Sequence, residues 1–400
     1  MSVYGRILRE PGVALIVLAT LIGRLPIGIS GLAILLYVRD VSDSFAAAGL
    51  CAGALALGSA AGAPFQGRLI DRRGVEMLLP LAAVHATGLL LIWLAGAASA
   101  PVALLAAASL LTGAAIPPLS SVLRSRWPYL LAGQPELLAG AFALDSVMIE
   151  VIFVAGPLLT TVVVATVGAQ YALIVSAGCV MCGTLMLLGG LTGRAGPERA
   201  EAGRPVLGLG ALASPGLRTL VLASLPVGFT FGTLEVALPA FSEAEGSKEL
   251  AGVLLAVWSA ASGVGGLVWG ARGGGSSLLQ AHLWFAWLLP LGVAPLLLAG
   301  SPLTMGLLAI LAGLPIAPLI ASRNQLVERV SLPGTATEAF TWPLTALVAG
   351  VSLGAAAGGA VVEAGSWSSG VLAATAVALV GASVVLLRRR TLAQPLAVSG

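Results

Sequence analysis

The sequence predicts an all-α polytopic membrane protein with about 12 transmembrane helices. Hydrophobic residues make up 58% of the 400 residues and charged residues only 9%, against roughly 25% charged residues in an average soluble domain. Apolar runs of about 20 residues, the length that spans a bilayer, recur from Val13 to Leu387. This composition excludes a water-soluble fold of the same length, so lipid is expected to be the main solvent.

Charged residues, Pro and Gly interrupt the apolar runs and predict where each span lies. The predicted spans 1 to 12 cover residues 12-38, 45-67, 76-96, 101-123, 137-164, 170-192, 214-240, 250-270, 279-299, 302-322, 337-362 and 367-387. The first run is about 25 residues long and lacks a small-residue cleavage site after it, so it is expected to be a span rather than a signal peptide.

The distribution of basic residues predicts the orientation. Most of the 20 arginine and lysine residues fall in loops on one side, here called the basic side. Arg39 and Lys248 fall in loops on the opposite side, and Arg24 lies within span 1. Because basic loops stay in the cytoplasm, we expect both termini to be cytoplasmic. The arginine-rich and lysine-poor composition favours a multi-pass protein of the bacterial plasma (inner) membrane.

An internal repeat divides the chain. Residues 11–21 resemble residues 215–225, and the pair 141–142 matches the pair 339–340. Six spans in each copy give both copies the same orientation, which predicts two bundles related by an axis along the membrane normal. The predicted domains are an N-terminal six-helix bundle at 1-192, a cytoplasmic linker at 193-213 and a C-terminal six-helix bundle with a short basic tail at 214-400.

A sequence motif makes the resemblance specific. Residues 67–74 read GRLIDRRG and follow span 2 on the basic side. They resemble the major facilitator superfamily signature G-x-L-a-D-r-x-G-r-k, although Val75 and Glu76 replace its final basic pair. The resemblance implies a transporter, not an enzyme, with two pseudo-symmetric six-helix bundles.

In the resembled family, the signature loop forms charge pairs that hold one conformation of the protein. The resemblance therefore implies a cytoplasmic gate, and its expected members are Gly67, Asp71, Arg72, Gly74, Arg124 and Asp145. The alternative is that these charges are only solvated at the membrane surface.

Few charged residues lie inside the spans, where each costs about 2.5–3.5 kcal/mol on insertion scales. Arg24 and Glu150 lie about halfway along spans 1 and 5, so we expect them to meet near the bilayer centre and to form a proton-coupling site. A permanent structural ion pair is the alternative. Glu235, in the outer half of span 7, is expected to bind a cationic substrate group or a proton, unless it only faces water near the exit.

No cofactor or metal is expected. A nucleotide-binding G-x-x-x-x-G-K-[ST] loop needs a lysine, and Lys248 lies in a loop of the opposite side. An ion gradient is therefore the expected energy source, and a lone buried carboxylate suits a proton. The expected partners are a small-molecule substrate and the lipid bilayer, without nucleic acid, and the protein is expected to function as a monomer.

Together these observations predict a secondary transporter that works by alternating access. The predicted activity is proton-coupled export of a small amphipathic or drug-like molecule or a metabolite, because the spans contain few of the Asn and Gln residues typical of sugar importers. A lipid or lysolipid flippase and a metabolite uptake permease remain alternatives on the same fold. A transport-inactive membrane receptor or assembly subunit is a further alternative.

Overall fold

The described part of the chain is helical throughout. The computed structural model describes residues 3–196, 210–246, 250–272 and 277–393, apart from the side chains of residues 45, 46 and 150. Within these ranges there is no strand, and 12 helical segments are long and apolar enough to cross a membrane. The predicted all-α polytopic fold is therefore confirmed.

The spans follow the chain in order and begin alternately on the basic side and on the opposite side. Their bounds are Val13–Ser42, Ala47–Arg73, Val75–Ala97, Val102–Leu130, Pro135–Thr166, Ala169–Leu191, Pro215–Ala244, Leu250–Ala271, Leu278–Leu298, Pro302–Val330, Ala336–Ala364 and Trp367–Leu387. Short helices at Val3–Arg9 and Arg390–Ala393 lie at the two described ends.

Spans 4 and 10 differ most from their predicted ends, because they run on to Leu130 and Val330. Hydropathy ends both predictions at the first arginine, yet the helices continue with polar side chains buried inside the protein. Prolines near the middle divide each span into two helices, since proline lacks the N–H that a helix needs. Each span therefore combines an apolar part with a polar, buried part on the basic side.

The same pairs of helices pack in the two halves. Span 1 packs against spans 5 and 6, and span 7 packs against spans 11 and 12; span 2 packs against span 4, and span 8 against span 10. Contacts of span 2 with span 11 and of span 5 with span 8 join the halves. This pattern is that of two pseudo-symmetric six-helix bundles. The borders of the linker 193-213 stay a prediction, because residues 197–209 lie outside the described residues.

Glycines allow a close helix contact between spans 1 and 6 in the first bundle. A Cβ atom added to Gly183 on span 6 would lie 2.2 Å from the backbone nitrogen of Gly23 on span 1. The two backbones therefore touch directly, as small residues permit in membrane proteins. On the same span, a Cβ atom at Gly178 would meet nothing within 4 Å.

We predict that Gly183→Ala lowers the thermal stability of the purified protein, with overpacking costing about 1–3 kcal/mol. Gly178→Ala is the matched control on span 6, where the added methyl group has open space. Melting of both variants in the same detergent checks the prediction. Equal midpoints would contradict the direct backbone contact between spans 1 and 6.

Candidate functional site: a buried charge network and an interdomain latch

One buried carboxylate links three spans of the first bundle. Asp145 on span 5 is 0% exposed, and Arg24 on span 1 and Arg124 on span 4 are each 1% exposed. Arg24 Nη1 donates to Asp145 Oδ1 at 2.7 Å, and Arg124 Nε donates to Asp145 Oδ2 at 2.5 Å. Each carboxylate oxygen therefore holds a different guanidinium, and charge-assisted hydrogen bonds of this kind are about twice as strong as neutral ones.

Helix direction explains why Arg24 reaches Asp145. Side chains on a helix tilt toward its N-terminus, and span 1 begins on the basic side, so the long Arg24 side chain extends toward that side. Asp145 lies there, only seven residues after the helix Leu138–Thr166 begins. The side chain of Glu150 lies outside the described residues, so its predicted contact with Arg24 stays a prediction.

Hydropathy alone places Arg124 just after the end of span 4, and not in the interior of the membrane. It lies in the second helix of span 4, Leu119–Leu130, among the buried side chains of Ser121, Ser125 and Trp127. The predicted gate grouped Arg124 with Asp71, Arg72 and Asp145, and in the structure Arg124 is buried and paired with Asp145. The polar face of this helix therefore turns inward.

Several donors of these two arginines have no partner within the ranges that the structure describes. Among the described residues, Arg24 Nε and Nη2 and Arg124 Nη1 and Nη2 are buried without a hydrogen bond. With Asp145, the two arginines leave one excess positive charge. The network is therefore electrostatically incomplete within the described part of the chain.

A third buried arginine lies nearby in the second bundle. Arg323 on span 10 is 6% exposed, and its Nη1 donates to Ser224 Oγ at 3.2 Å while its Nη2 donates to Asn324 Oδ1 at 3.3 Å. Its helix, Ile316–Val330, packs against the helix Leu138–Thr166 of span 5, which carries Asp145. The repeat would have revealed Arg323, because an offset of about 200 residues aligns it with Arg124.

The signature loop forms a separate set of contacts between the bundles. Asp71 accepts hydrogen bonds from the backbone N–H groups of Thr337 and Glu338, each at 2.8 Å. These groups belong to the first turn of span 11, where N–H groups lack helical partners and the helix dipole favours an anion. Asp71 on span 2 thus caps a helix of the other bundle.

An ion pair reinforces this cap. Arg68 donates to Glu338 through Nε at 3.2 Å and through Nη2 at 2.6 Å, one contact to each carboxylate oxygen. Glu338 is 1% exposed, so the pair is shielded from water. We call the contacts of Arg68 and Asp71 with Thr337 and Glu338 the latch.

The structure explains why each of the two signature positions, 67 and 74, is occupied by glycine. A Cβ atom on Gly67 would lie 2.8 Å from the Cα atom of Glu338, so only glycine lets span 2 approach span 11 this closely. Gly74 ends the helix of span 2 with φ +98°, a backbone conformation that favours glycine. The two residues shape the latch and the turn that follows it.

The latch lies among further contacts that close the basic side. Ser125 Oγ and Thr337 Oγ1 lie 3.5 Å apart, and the rings of Phe142 and Phe340 have centroids 6.0 Å apart. These pairs again join one bundle to the other at the basic ends of their spans. The structure is therefore closed between the bundles on this side.

The structure separates the predicted site residues into distinct places. Arg124 and Asp145 belong to the buried network with Arg24, whereas Gly67, Asp71 and Gly74 belong to the latch region. Arg72 is half-buried at the end of span 2. Glu235 is exposed on span 7. It lies 20 residues from the start of its span, against 11 residues for Arg24, which places it roughly 13 Å farther from the basic side.

The architecture and the interdomain contacts define the class of the protein. Twelve spans among the described residues, in two related bundles with a charge network buried between helices, are the architecture of a secondary transporter. The profile of the Major Facilitator Superfamily matches residues 16–274, which is more than half of the chain. The chain therefore belongs to the Major Facilitator Superfamily.

Solved structures share the whole fold. A bacterial homologue of the iron transporter ferroportin, in an outward-facing state, is 13% identical with a TM-score of 0.80, over 94% of this chain and 99% of that chain. The Escherichia coli fucose:proton symporter is 14% identical with a TM-score of 0.72, over 96% and 99%. The human organic anion transporter MFSD10 is 16% identical with a TM-score of 0.66, over 95% and 98%. None of the curated proteins compared with the chain matches it.

We predict that Asp71→Asn opens the basic side. Losing the charge weakens two hydrogen bonds to an ionised group, and a loss of about 2 kcal/mol changes the ratio of closed to open molecules roughly 30-fold. Spin labels at Arg73 and Arg329, which are exposed at the basic ends of spans 2 and 10, report the distance between the bundles in a protein without native cysteines.

The variant should add a population with a longer distance in electron paramagnetic resonance measurements. Asp40→Asn is the control, because Asp40 is exposed at the opposite end of span 1. Identical distance distributions for Asp71→Asn and Asp40→Asn would show that the latch does not hold the closed conformation.

Proposed function

We propose that the protein is a proton-coupled transporter that exports a small amphipathic molecule from the bacterial cytoplasm by alternating access. The observation that carries the proposal is the buried Asp145 carboxylate held by Arg24 and Arg124. Charges inside a membrane bundle face a partner or a water-filled path and mark ion and substrate routes. A proton that changes the charge of such a network changes which helix contacts are favourable.

The latch supplies the conformational part of the proposal. Alternating access moves one bundle against the other around a central site, and opening the basic side requires breaking the contacts of Asp71 and Arg68 with span 11. Span 5 carries Asp145 and also packs against spans 8 and 10 of the second bundle. A change of charge on span 5 therefore acts on a helix that lies at the domain interface.

Glu150 is the proposed proton carrier. Asp145 is already bound by two guanidiniums, and protonating it requires giving up both charge-assisted contacts. Glu150 lies five residues farther along span 5, on the side of Asp145 that faces away from the basic side. In this proposal Asp145 holds the arginines in place, and Glu150 takes up the proton and releases it on the other side.

The direction of transport and the location are part of the same proposal. The basic side is cytoplasmic because arginine-rich loops are retained there. The closed basic side is then the cytoplasmic side. Export of an amphipathic molecule agrees with the small number of Asn and Gln residues in the spans.

We predict that cells lacking their own efflux pumps accumulate less of at least one compound from a fluorescent and antibiotic panel when they produce this protein. Glu150→Gln and a protonophore should each restore the accumulation of cells without the protein, because both remove the proton step. Glu136→Gln is the matched control, since Glu136 lies on the same span but is exposed.

Unchanged and pH-dependent transport in Glu150→Gln would contradict the role of this carboxylate. If no compound responds, movement of labelled lipids in vesicles tests a flippase. If neither lipids nor small molecules move, the proposed transport function is wrong.

A further inference from the structure

The buried charges near the domain interface do not balance. Arg24, Arg124 and Arg323 are all less than one-tenth exposed. Among the described residues, the acidic residue that pairs with them is Asp145, which binds Arg24 and Arg124. An ionised Glu150 would still leave the group positive. Buried cations without anions are costly, so this group favours an incoming anion that the described residues do not supply.

The hydrogen-bond donors point to the same need. Five guanidinium nitrogens of these three arginines are buried without a partner in the described part of the chain, namely Nε and Nη2 of Arg24, Nη1 and Nη2 of Arg124, and Nε of Arg323. Folded proteins leave few buried polar groups unpaired. Guanidiniums only donate, so the missing partners are acceptors such as the oxygens of an anion.

The internal repeat shows which half lacks the anion. Arg124 and Arg323 occupy equivalent places on spans 4 and 10. Asp145, however, aligns with Pro343 on span 11, at the same offset of 198 residues that aligns the Ala-Phe pairs. The second bundle has therefore kept the cation without the carboxylate, and the polar partners of Arg323 are the neutral Ser224 and Asn324.

The surroundings of Arg323 are mostly apolar. A cavity of ≈ 20 Å³ borders Arg323, His282 and Ser224, and its other lining residues are aliphatic side chains and glycine from spans 7, 9, 10 and 12. This volume holds about one water molecule, so the closed conformation leaves no room for an organic molecule there. A guanidinium beside apolar walls suits a molecule that carries both an anionic group and an apolar body.

We propose that Arg124 and Arg323 bind the anionic group of the transported molecule, which is an amphipathic organic anion, after the latch opens the basic side. This inference rests on the proposed transport function and names its substrate class. One arginine comes from each bundle, so the anion joins the two halves and replaces the contacts that the latch loses. Arg24 stays with Asp145 and holds span 1 in place.

A cationic substrate fits this site poorly. It would have to approach an excess of buried positive charge, and like charges repel strongly where the dielectric constant is low. Glu235, the residue expected to bind a cation, lies roughly 13 Å farther from the basic side and is exposed. The substrate class at the buried site is therefore set by the arginines.

Equilibrium dialysis of the purified protein in lipid nanodiscs tests the inference without any ion gradient. The probes share one ring system and differ in charge: naphthoate, naphthamide and naphthyl trimethylammonium. Naphthoate should bind the unmodified protein at least about tenfold more tightly than naphthamide, because it supplies charged acceptors to the arginines. The trimethylammonium compound should bind most weakly.

Arg323→Gln should abolish the preference for naphthoate, and Arg323→Lys should keep part of it. Arg218→Gln is the control, because Arg218 is exposed on span 7. Arg323→Gln should melt no lower than the unmodified protein, since it removes a buried cation that has no acidic partner in the described chain, and this measurement shows that the variant is folded.

Equal binding of naphthoate and naphthamide, or an anion preference that survives Arg323→Gln, would overturn the inference. The outcome is separable from the proposed transport function. Naphthoate binding with no proton-driven export would refute the transport mechanism alone, whereas proton-driven export without an anion preference would refute the substrate class alone.

Discussion

The structure depends on the sharing of one buried carboxylate by two arginines. A charge inside a membrane bundle is tolerated when it is paired, and Asp145 provides this pairing for Arg24 and Arg124. The three residues come from three different spans, so their mutual attraction fixes spans 1, 4 and 5 relative to one another. It also explains why span 4 continues as a helix beyond Arg124, because that arginine has an anion to bind inside the protein.

The latch and the buried network act on the same domain interface from different depths. Asp71 and Arg68 bind the beginning of span 11 at the basic end of the molecule, and Asp145 lies deeper on span 5. Spans 5 and 11 each pack against the opposite bundle. In the proposed cycle, the latch holds the closed conformation, and the anion site between Arg124 and Arg323 forms once the latch has opened. Substrate binding and domain movement are thereby linked through the arginines.

The sequence was sufficient for the fold and for the number of spans, because apolar length and the repeat act over many residues at once. The predicted end of span 4 was too early, since hydropathy treats an arginine as a helix end and does not register the carboxylate of Asp145 on the next span. The sequence did not predict Asp145 as the partner of Arg24. Comparing the depths of two residues along their helices takes no account of the length of the arginine side chain. The sequence around Glu338 contains no motif that predicts its pairing with Arg68.

A double-mutant cycle on Arg24 and Asp145 tests the central claim most directly. Thermal or denaturant unfolding is measured for Arg24→Gln, for Asp145→Asn and for the protein with both changes. If the carboxylate joins the spans, the effect of both changes together on the free energy of unfolding differs from the sum of the two single effects by about 1 kcal/mol or more. Additive effects, within about 0.5 kcal/mol, would mean that the two residues do not stabilise each other and would contradict the account.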